Sequence, residues 1–316
     1  MSEAIERFDC FGGRCEAYVC GDGPEGSAAQ AAAMARRVLL GWHGRFSRFI
    51  PGSELSRLNA DPRAEVPVSP AMALLASAVG AAGALSGGLV DATQVDEIED
   101  AGYRGDIARP LDLERALELA PPHAPAHADP RARWGEVEVD VQRLLVRRPP
   151  GVRIDSGGVG KGLFADLLGE RLGAYESFAV NCGGDLAIGG AGGAPREVEV
   201  ESPFDGHVLH AFEVAGGGVA TSGIGARSWL GRDGRPAHHL LDPSSGRPVF
   251  SGIVQATALA PSAFLAEVSA KAALLAGPRA AAARLPHGGL VILDDGSHHI
   301  FEPPRCVSLR QLSLRS

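Results

Sequence analysis

The sequence predicts an α+β fold with largely antiparallel sheets flanked by helices. Helix and strand signals alternate along the chain without an internal repeat. The second half is rich in short strands closed by glycine turns, and the greasiest stretches have helical spacing. With 316 residues, 45% of them hydrophobic, the chain has enough apolar surface for a large core, as one domain or as two intimately packed lobes.

The elements follow in order. CEAYVCGD, from Cys15 to Asp22, reads as a strand, and AAQAAAMARRVLLGWHGRF, from Ala28 to Phe46, as a long helix with an apolar face. A second helix is predicted from Pro70 to Leu85, with Ser69 as N-cap and the proline at the first helical position. It ends where Ser86-Gly87-Gly88 breaks the stretch, too early to span a bilayer. PPHAPAHADPRAR, between Ala120 and Arg133, reads as a surface loop or linker between lobes, with His123 and His127 solvated.

Beyond the loop the signals turn to strands. EVEVDVQRLLVRR alternates around a turn at Val141 to Arg143, and VRIDSGG reads as a strand ending in glycines. KGLFADLLGERL has helical spacing, and SFAVNCGG with DLAIGG reads as a hairpin. REVEVESP, VLHAFEV and GGVATSG continue the strands, and GLVILDDGSHHIFEP closes with a hairpin turning at Asp294-Asp295-Gly296. Between them, ALAPSAFLAEVSAKAALLAG, residues 258 to 277, reads as an apolar helix interrupted by Glu267 and Lys271 alone.

Charge and cysteine usage exclude several classes. Thirty basic against 38 acidic residues give a net charge of −8 with no basic stripe, which argues against a nucleic-acid partner. The N-terminus has no basic region followed by an apolar core, so no secretory leader or membrane anchor is expected and the protein reads as cytoplasmic. Five cysteines form neither a disulfide framework nor a metal motif; Cys10, Cys15 and Cys20 are expected on or beside a strand, and Cys182 as a buried filler.

Chemistry concentrates in glycine-flanked stretches. VRIDSGGVGKG, residues 152 to 162, imitates a phosphate-binding P-loop, yet Asp155 and Gly162 stand where the motif needs a glycine and a hydroxyl. Two readings remain: a glycine turn whose N–H groups and Lys161 approach a nucleotide phosphate, or a tight turn with a surface lysine.

GRFSRFIPGSELSRLNA, GGLVDATQV, VRIDSGGVGKGLFAD, VNCGGDLAIGG, VATSGIGARSWL and HHLLDPSSGRPV occur in one order from about Phe11 to Pro303. In this the sequence resembles the ApbE family, the FAD:protein FMN transferases, which move FMN from FAD to a Ser or Thr hydroxyl of an acceptor flavoprotein. The resemblance implies an ApbE-like fold of two packed lobes with FAD in the cleft between them. It assigns cofactor contacts to Phe11, Phe49, Asp91, Ala92, Thr93, Asp155, Lys161 and Leu241, with Phe49 in place of the usual Tyr; a ring that stacks does not need the hydroxyl. His239 in HHLLDP takes the catalytic position, accepting the proton of the acceptor hydroxyl as AMP leaves, while His238 points away.

The family's magnesium is held by an Asp and a Thr on a C-terminal helix, helped by two carbonyls. Here those positions carry Glu267 and Lys271, and the carbonyls belong to Gly158 and Ala270. Lysine has three donors and no lone pair to offer a metal. Three outcomes stay open: Lys271 occupies the cation's place, it swings away and leaves Mg2+ to Glu267, or the two form an ordinary i,i+4 bridge. Accordingly the expected function is FMN transfer to a Ser/Thr-containing target, with a non-catalytic FAD-binding protein and a magnesium-dependent FAD pyrophosphatase as alternatives.

Overall fold

In the computed structural model, residues 3–302 are described apart from 106, 108, 109 and 232. The predicted closing hairpin ends at Pro303, which lies outside the described residues. The centre of the fold is an eight-stranded sheet. Numbered in chain order, its strands are β1 (Ala4–Cys10), β2 (Gly13–Cys20), β3 (Ser177–Cys182), β4 (Asp185–Gly189), β5 (Gly217–Gly223), β6 (Ile253–Ala260), β7 (Gly289–Leu293) and β8 (His298–Phe301). Every neighbouring pair is antiparallel and spatial order equals chain order, so each strand returns beside the one before it.

Several insertions interrupt this meander, among them a hairpin, Arg196–Glu201 with Val208–Val214, between β4 and β5; two others build most of the cleft. Between β2 and β3 run α1 (Ala28–Phe46), α2 (Glu54–Ala60), α3 (Pro70–Ser86), α4 (Val95–Asp100), α5 (Leu113–Glu118) and α6 (Gly160–Leu172). Between β5 and β6 come two short hairpins, Ser228–Leu230 with Pro236–His238 and Leu241–Asp242 with Arg247–Pro248. Helix α7 (Ala263–Ala276) follows β6 and packs on α6, β5 and β6.

Local chemistry explains the predicted helices. The Ser27 hydroxyl accepts the Gln30 N–H while the Gln30 side chain accepts the Ser27 N–H, a reciprocal cap that starts α1 at Ala28. Ser69 caps α3 by accepting the Met72 N–H, and Gly87, at φ 65°, ends it with Gly88 N–H bonded back to Gly83 O at 2.7 Å.

Two expectations shift. VRID is not a strand: Ile154 exchanges both backbone bonds with the Asn59 side chain, and Asp155 N–H donates to Ala92 O at 2.8 Å. These partners come from a loop and a side chain, so the segment is fixed without a ladder, and a short 3-10 turn, Ser156–Gly158, follows. The apolar stretch from residue 258 is also not all helix; its first residues end β6, and Ser262 caps α7. His123 and His127 do sit in an irregular loop, with His123 Nε2 at 2.6 Å from Asp294.

Buried apolar residues form two main clusters, and α7 belongs to both. Val268 and Ala272 face the cluster under α1, α3 and α6, whereas Ala270, Ala273 and Leu274 face the one under β5 to β7. A helix buried on both flanks needs no solvent face, which accounts for its apolar composition. Glu267 and Lys271 fall on a third stripe. Close packing is possible because α6 carries Gly162 at the crossing, where a Cβ would stand 2.5 Å from Ala263 O. The Asp166 carboxylate then accepts the Ala263 and Phe264 N–H groups at the start of α7, favourable for an anion at a helix N-terminus. No helix among the described residues is long and apolar enough to cross a membrane.

Candidate active site

A single cleft collects most of the residues singled out in the sequence. Phe11, Phe49, Asp91, Ala92, Asp155, Gly158, Lys161, His239, Leu241 and Lys271 line it. Thr93, Glu267 and Ala270 lie behind that wall. Thr93 donates its hydroxyl and its N–H to Asp91 Oδ1, at 2.6 and 2.8 Å, and so sets the direction of the carboxylate. Asp91 Oδ2 is buried and without a hydrogen-bond partner among the described residues, and burial raises the Asp91 pKa above the usual carboxylate range.

One end of the cleft is made of rings. Phe49 meets Tyr103 edge to face at 5.3 Å, and Tyr103 stacks on Trp229 at 5.4 Å. The Arg48 guanidinium lies 4.2 Å from the centre of Phe49 and 4.9 Å from that of Tyr103. Its Nε is 3.6 Å from Asp155. Phe11 takes an unusual route to the wall. It and Gly12 form the two-residue β1–β2 turn with φ of 53° and 69°, the conformation of a hairpin turn that favours Asn-Gly. Phe11 stacks on Phe164 at 5.3 Å, and its carbonyl accepts a bond from Arg227.

The floor is the glycine turn. Asp155 Oδ1 accepts the Gly157 N–H at 2.9 Å, and a Cβ on Gly158 would come within 3.1 Å of Ala92 Cβ. The turn therefore sits directly on the VDATQ segment, and a larger residue at Gly158 would push the two apart.

The other end is charged. Lys161 Nζ is 2.7 Å from Asp185 Oδ2 and donates to Gly183 O at 3.1 Å. Burial would lower the Lys161 pKa, but Asp185 and Glu267 outweigh it and the net direction is upward, so the ammonium stays charged. Lys271 Nζ donates to Glu267 Oε1 at 2.6 Å, and Glu267 Oε2 accepts the Gly162 N–H at 2.8 Å. Burial raises the Glu267 pKa against the opposing pull of Lys271.

The adjacent histidines divide the labour. His238 is buried; its Nδ1 accepts the Leu240 N–H, which leaves the proton on Nε2 to reach Val249 O at 2.9 Å. With both nitrogens used, burial drives its pKa down to about 4. His239 lines the cleft, and its buried Nδ1 has no hydrogen-bond partner among the described residues. Burial first, then the charges of Arg227, Lys271 and Lys161, hold its pKa well below the ordinary value. A neutral imidazole is the form that accepts a proton.

Magnesium does not fit this donor set. Both oxygens of Glu267 are engaged, one by an ammonium, and no group of three or more His, Cys, Asp or Glu suited to a metal occurs among the described residues. A hard dication needs about six oxygen ligands, and an ammonium at the carboxylate repels it.

Sequence reasoning missed Arg48, Tyr103, Asp185 and Arg227. Two had a signal: Arg227 is the lone charge in VATSGIGARSWL, and Asp185 follows the glycine pair of VNCGGDL. Arg48 and Tyr103 had none, because they meet only through the fold.

The ApbE family model matches residues 11–291. The chain belongs to the ApbE family. It is 31% identical over 214 residues to the FAD:protein FMN transferase of Salmonella typhimurium, an alignment covering 64% of this chain and 58% of that protein. The corresponding protein of Rhodobacter capsulatus is 29% identical, with 96% of this chain and 57% of the relative covered. The chain thus spans less than two thirds of the length of both relatives. Among solved structures, the ApbE protein of Thermotoga maritima superimposes with a TM-score of 0.77 at 25% identity, covering 95% of this chain and 97% of that one. The flavinyl transferase ApbE of Pseudomonas stutzeri, at 22% identity and a TM-score of 0.72, covers 95% of each chain and shares the fold.

Proposed function

We propose that this ApbE-family chain is an FAD:protein FMN transferase. The observation that carries the reading is one cleft with rings at one end and Lys161, Arg227, Lys271 and an unpartnered His239 nitrogen at the other. FAD has that polarity: flat ring systems joined to a diphosphate. Phe49 and Phe11 offer walls to a ring, Asp91 Oδ2 offers an acceptor to a ring N–H, and the cations face the phosphates. The membership of relatives named FAD:protein FMN transferase supports the same reading.

In the proposed reaction a Ser or Thr hydroxyl of an acceptor protein attacks the FMN phosphorus. A new P–O bond forms, the bridging P–O bond breaks, and AMP departs with the bridging oxygen. His239 Nδ1 takes the hydroxyl proton, while Lys161 and Arg227 hold the phosphate oxygens. No step is assigned to a metal.

One observation favours a second reading. Lys271, paired with Glu267, brings a single positive charge where a divalent metal would bring two, which suits tight FAD binding without turnover. Incubation with FAD and a Ser/Thr acceptor peptide, followed by chromatography and mass measurement, separates the readings. Transfer requires AMP and a peptide heavier by FMN. AMP and FMN released equally without peptide would instead mean hydrolysis, and bound FAD with no AMP under any condition would leave a binding protein.

A further inference from the structure

We propose that the Lys271 ammonium is the built-in cation of this cleft: it stands where a divalent metal would be needed and pairs with the diphosphate of bound FAD, so that binding does not depend on magnesium. The inference rests on reading the cleft as an FAD site, and it concerns the part of that site which the family pattern leaves unexplained.

Three observations converge on it. The first is geometric. Lys271 lines the cleft together with Lys161, Arg227, His239 and the glycine turn, while its partner Glu267 is wholly buried behind it. Of the three N–H donors of the ammonium one goes to Glu267 Oε1, and the other two have no hydrogen-bond acceptor among the described residues. Donors left over on the cleft side are what phosphate oxygens take up.

The second is the state of the carboxylate. Oε2 accepts the Gly162 N–H at 2.8 Å, at the start of α6, and Oε1 faces the ammonium. For Glu267 to bind a metal, the lysine would have to leave. Its side chain is only 8% exposed, and its departure would strip a fully buried carboxylate of its one ammonium partner.

The third is charge balance. At the charged end stand three cations, Lys161, Arg227 and Lys271, against two carboxylates, Asp185 and Glu267; of the other charged groups lining the cleft, Asp155 pairs with Arg48, and Asp91 belongs to the VDATQ turn. The surplus is one positive charge without any metal, already attractive to a diphosphate diester. A dication beside the Lys271 ammonium would meet like charge inside a low-dielectric cleft.

The test uses the full chain stripped of metals, with FAD as ligand and Mn2+ as a reporter of any divalent site. FAD affinity, read from flavin fluorescence, is expected to agree within about twofold in EDTA and in magnesium, and paramagnetic resonance should find no bound Mn2+ with or without FAD. The Lys271→Met variant, similar in length and uncharged, should bind FAD about tenfold or more weakly, whereas Lys271→Arg should stay within a few-fold of the parent. Thermal melts check that each variant is folded, and the EDTA comparison on the parent does not depend on either. FAD that binds only with magnesium, or Mn2+ held stoichiometrically, would overturn the built-in cation while leaving the flavin site standing. Absence of FAD binding under every condition would overturn both.

Discussion

The ring end and the charged end of the cleft are built by opposite means. At the ring end Phe49, Tyr103 and Trp229 pack on one another and on Arg48, so each ring is supported by its neighbours. Its contacts are broad and tolerate exchange of one ring for another. At the charged end each ammonium is neutralised by one carboxylate at short range: Lys161 by Asp185, Lys271 by Glu267. Burial makes such pairs costly to form and more costly to break, so the charged end should be brittle where the ring end is forgiving.

The largest effect tests the charged end. If Nδ1 of His239 takes the acceptor proton, His239→Asn should lower the rate of AMP release by about 100- to 10,000-fold with FAD affinity nearly unchanged. Single-turnover kinetics set against a binding titration check this, and equal losses in both would remove His239 from the chemistry.

Lys161→Met leaves the Asp185 carboxylate buried without its ion pair. The expected loss is about 3–5 kcal/mol of stability together with weakened FAD binding. A chemical-denaturation midpoint close to that of the parent would show that the pair is not structurally important.

At the ring end Phe49→Ala should weaken FAD binding by about tenfold, and Phe49→Tyr by less than about twofold, since stacking uses the ring. A large loss in Phe49→Tyr would mean that the wall is tight and the contrast between the two ends false.

A further effect comes from pH and is spread over its range. The folded His238 titrates at about 4 against an ordinary 6.5. Between those values the unfolded chain binds a proton that the native chain does not, so stability is full above pH 6.5 and falls on acidification. The contribution is at most about 1.4 kcal/mol per pH unit. Asp91, Asp166 and Glu267, whose pKa values are raised, act in the opposite sense. His238→Asn should therefore flatten the pH dependence of the melting temperature relative to the parent, and an unchanged slope would remove His238 as its source.

Much of this architecture was legible because its signals are local. Ser27 with Gln30 and Ser69 with Pro70 announce where α1 and α3 begin, since a cap involves neighbours three residues apart. The ordered motifs similarly announced which residues line the cleft, apart from those whose meaning arises at long range. Ile154 gave a strand signal yet bonds to Asn59, 95 residues away, and no period in the sequence encodes such a partner. Arg48 becomes a cleft residue only because Asp155 and Tyr103 close around it.

The sequence by itself determined the family motifs, the helix starts, the strand pairs joined by short turns, and the presence of a glutamate and a lysine four apart on an apolar helix. Spacing guarantees that such a pair can meet, whatever surrounds it. Only the tertiary structure decided what the pair means. Packing α7 on both flanks left Glu267 and Lys271 on the stripe beside the cleft, and the close crossing at Gly162 brought an N–H to the second carboxylate oxygen. A salt bridge that would count for little on a surface helix thereby became a desolvated pair at the charged end of the cleft, because burial multiplies the energy of a charge and depends on neighbours distant in the chain.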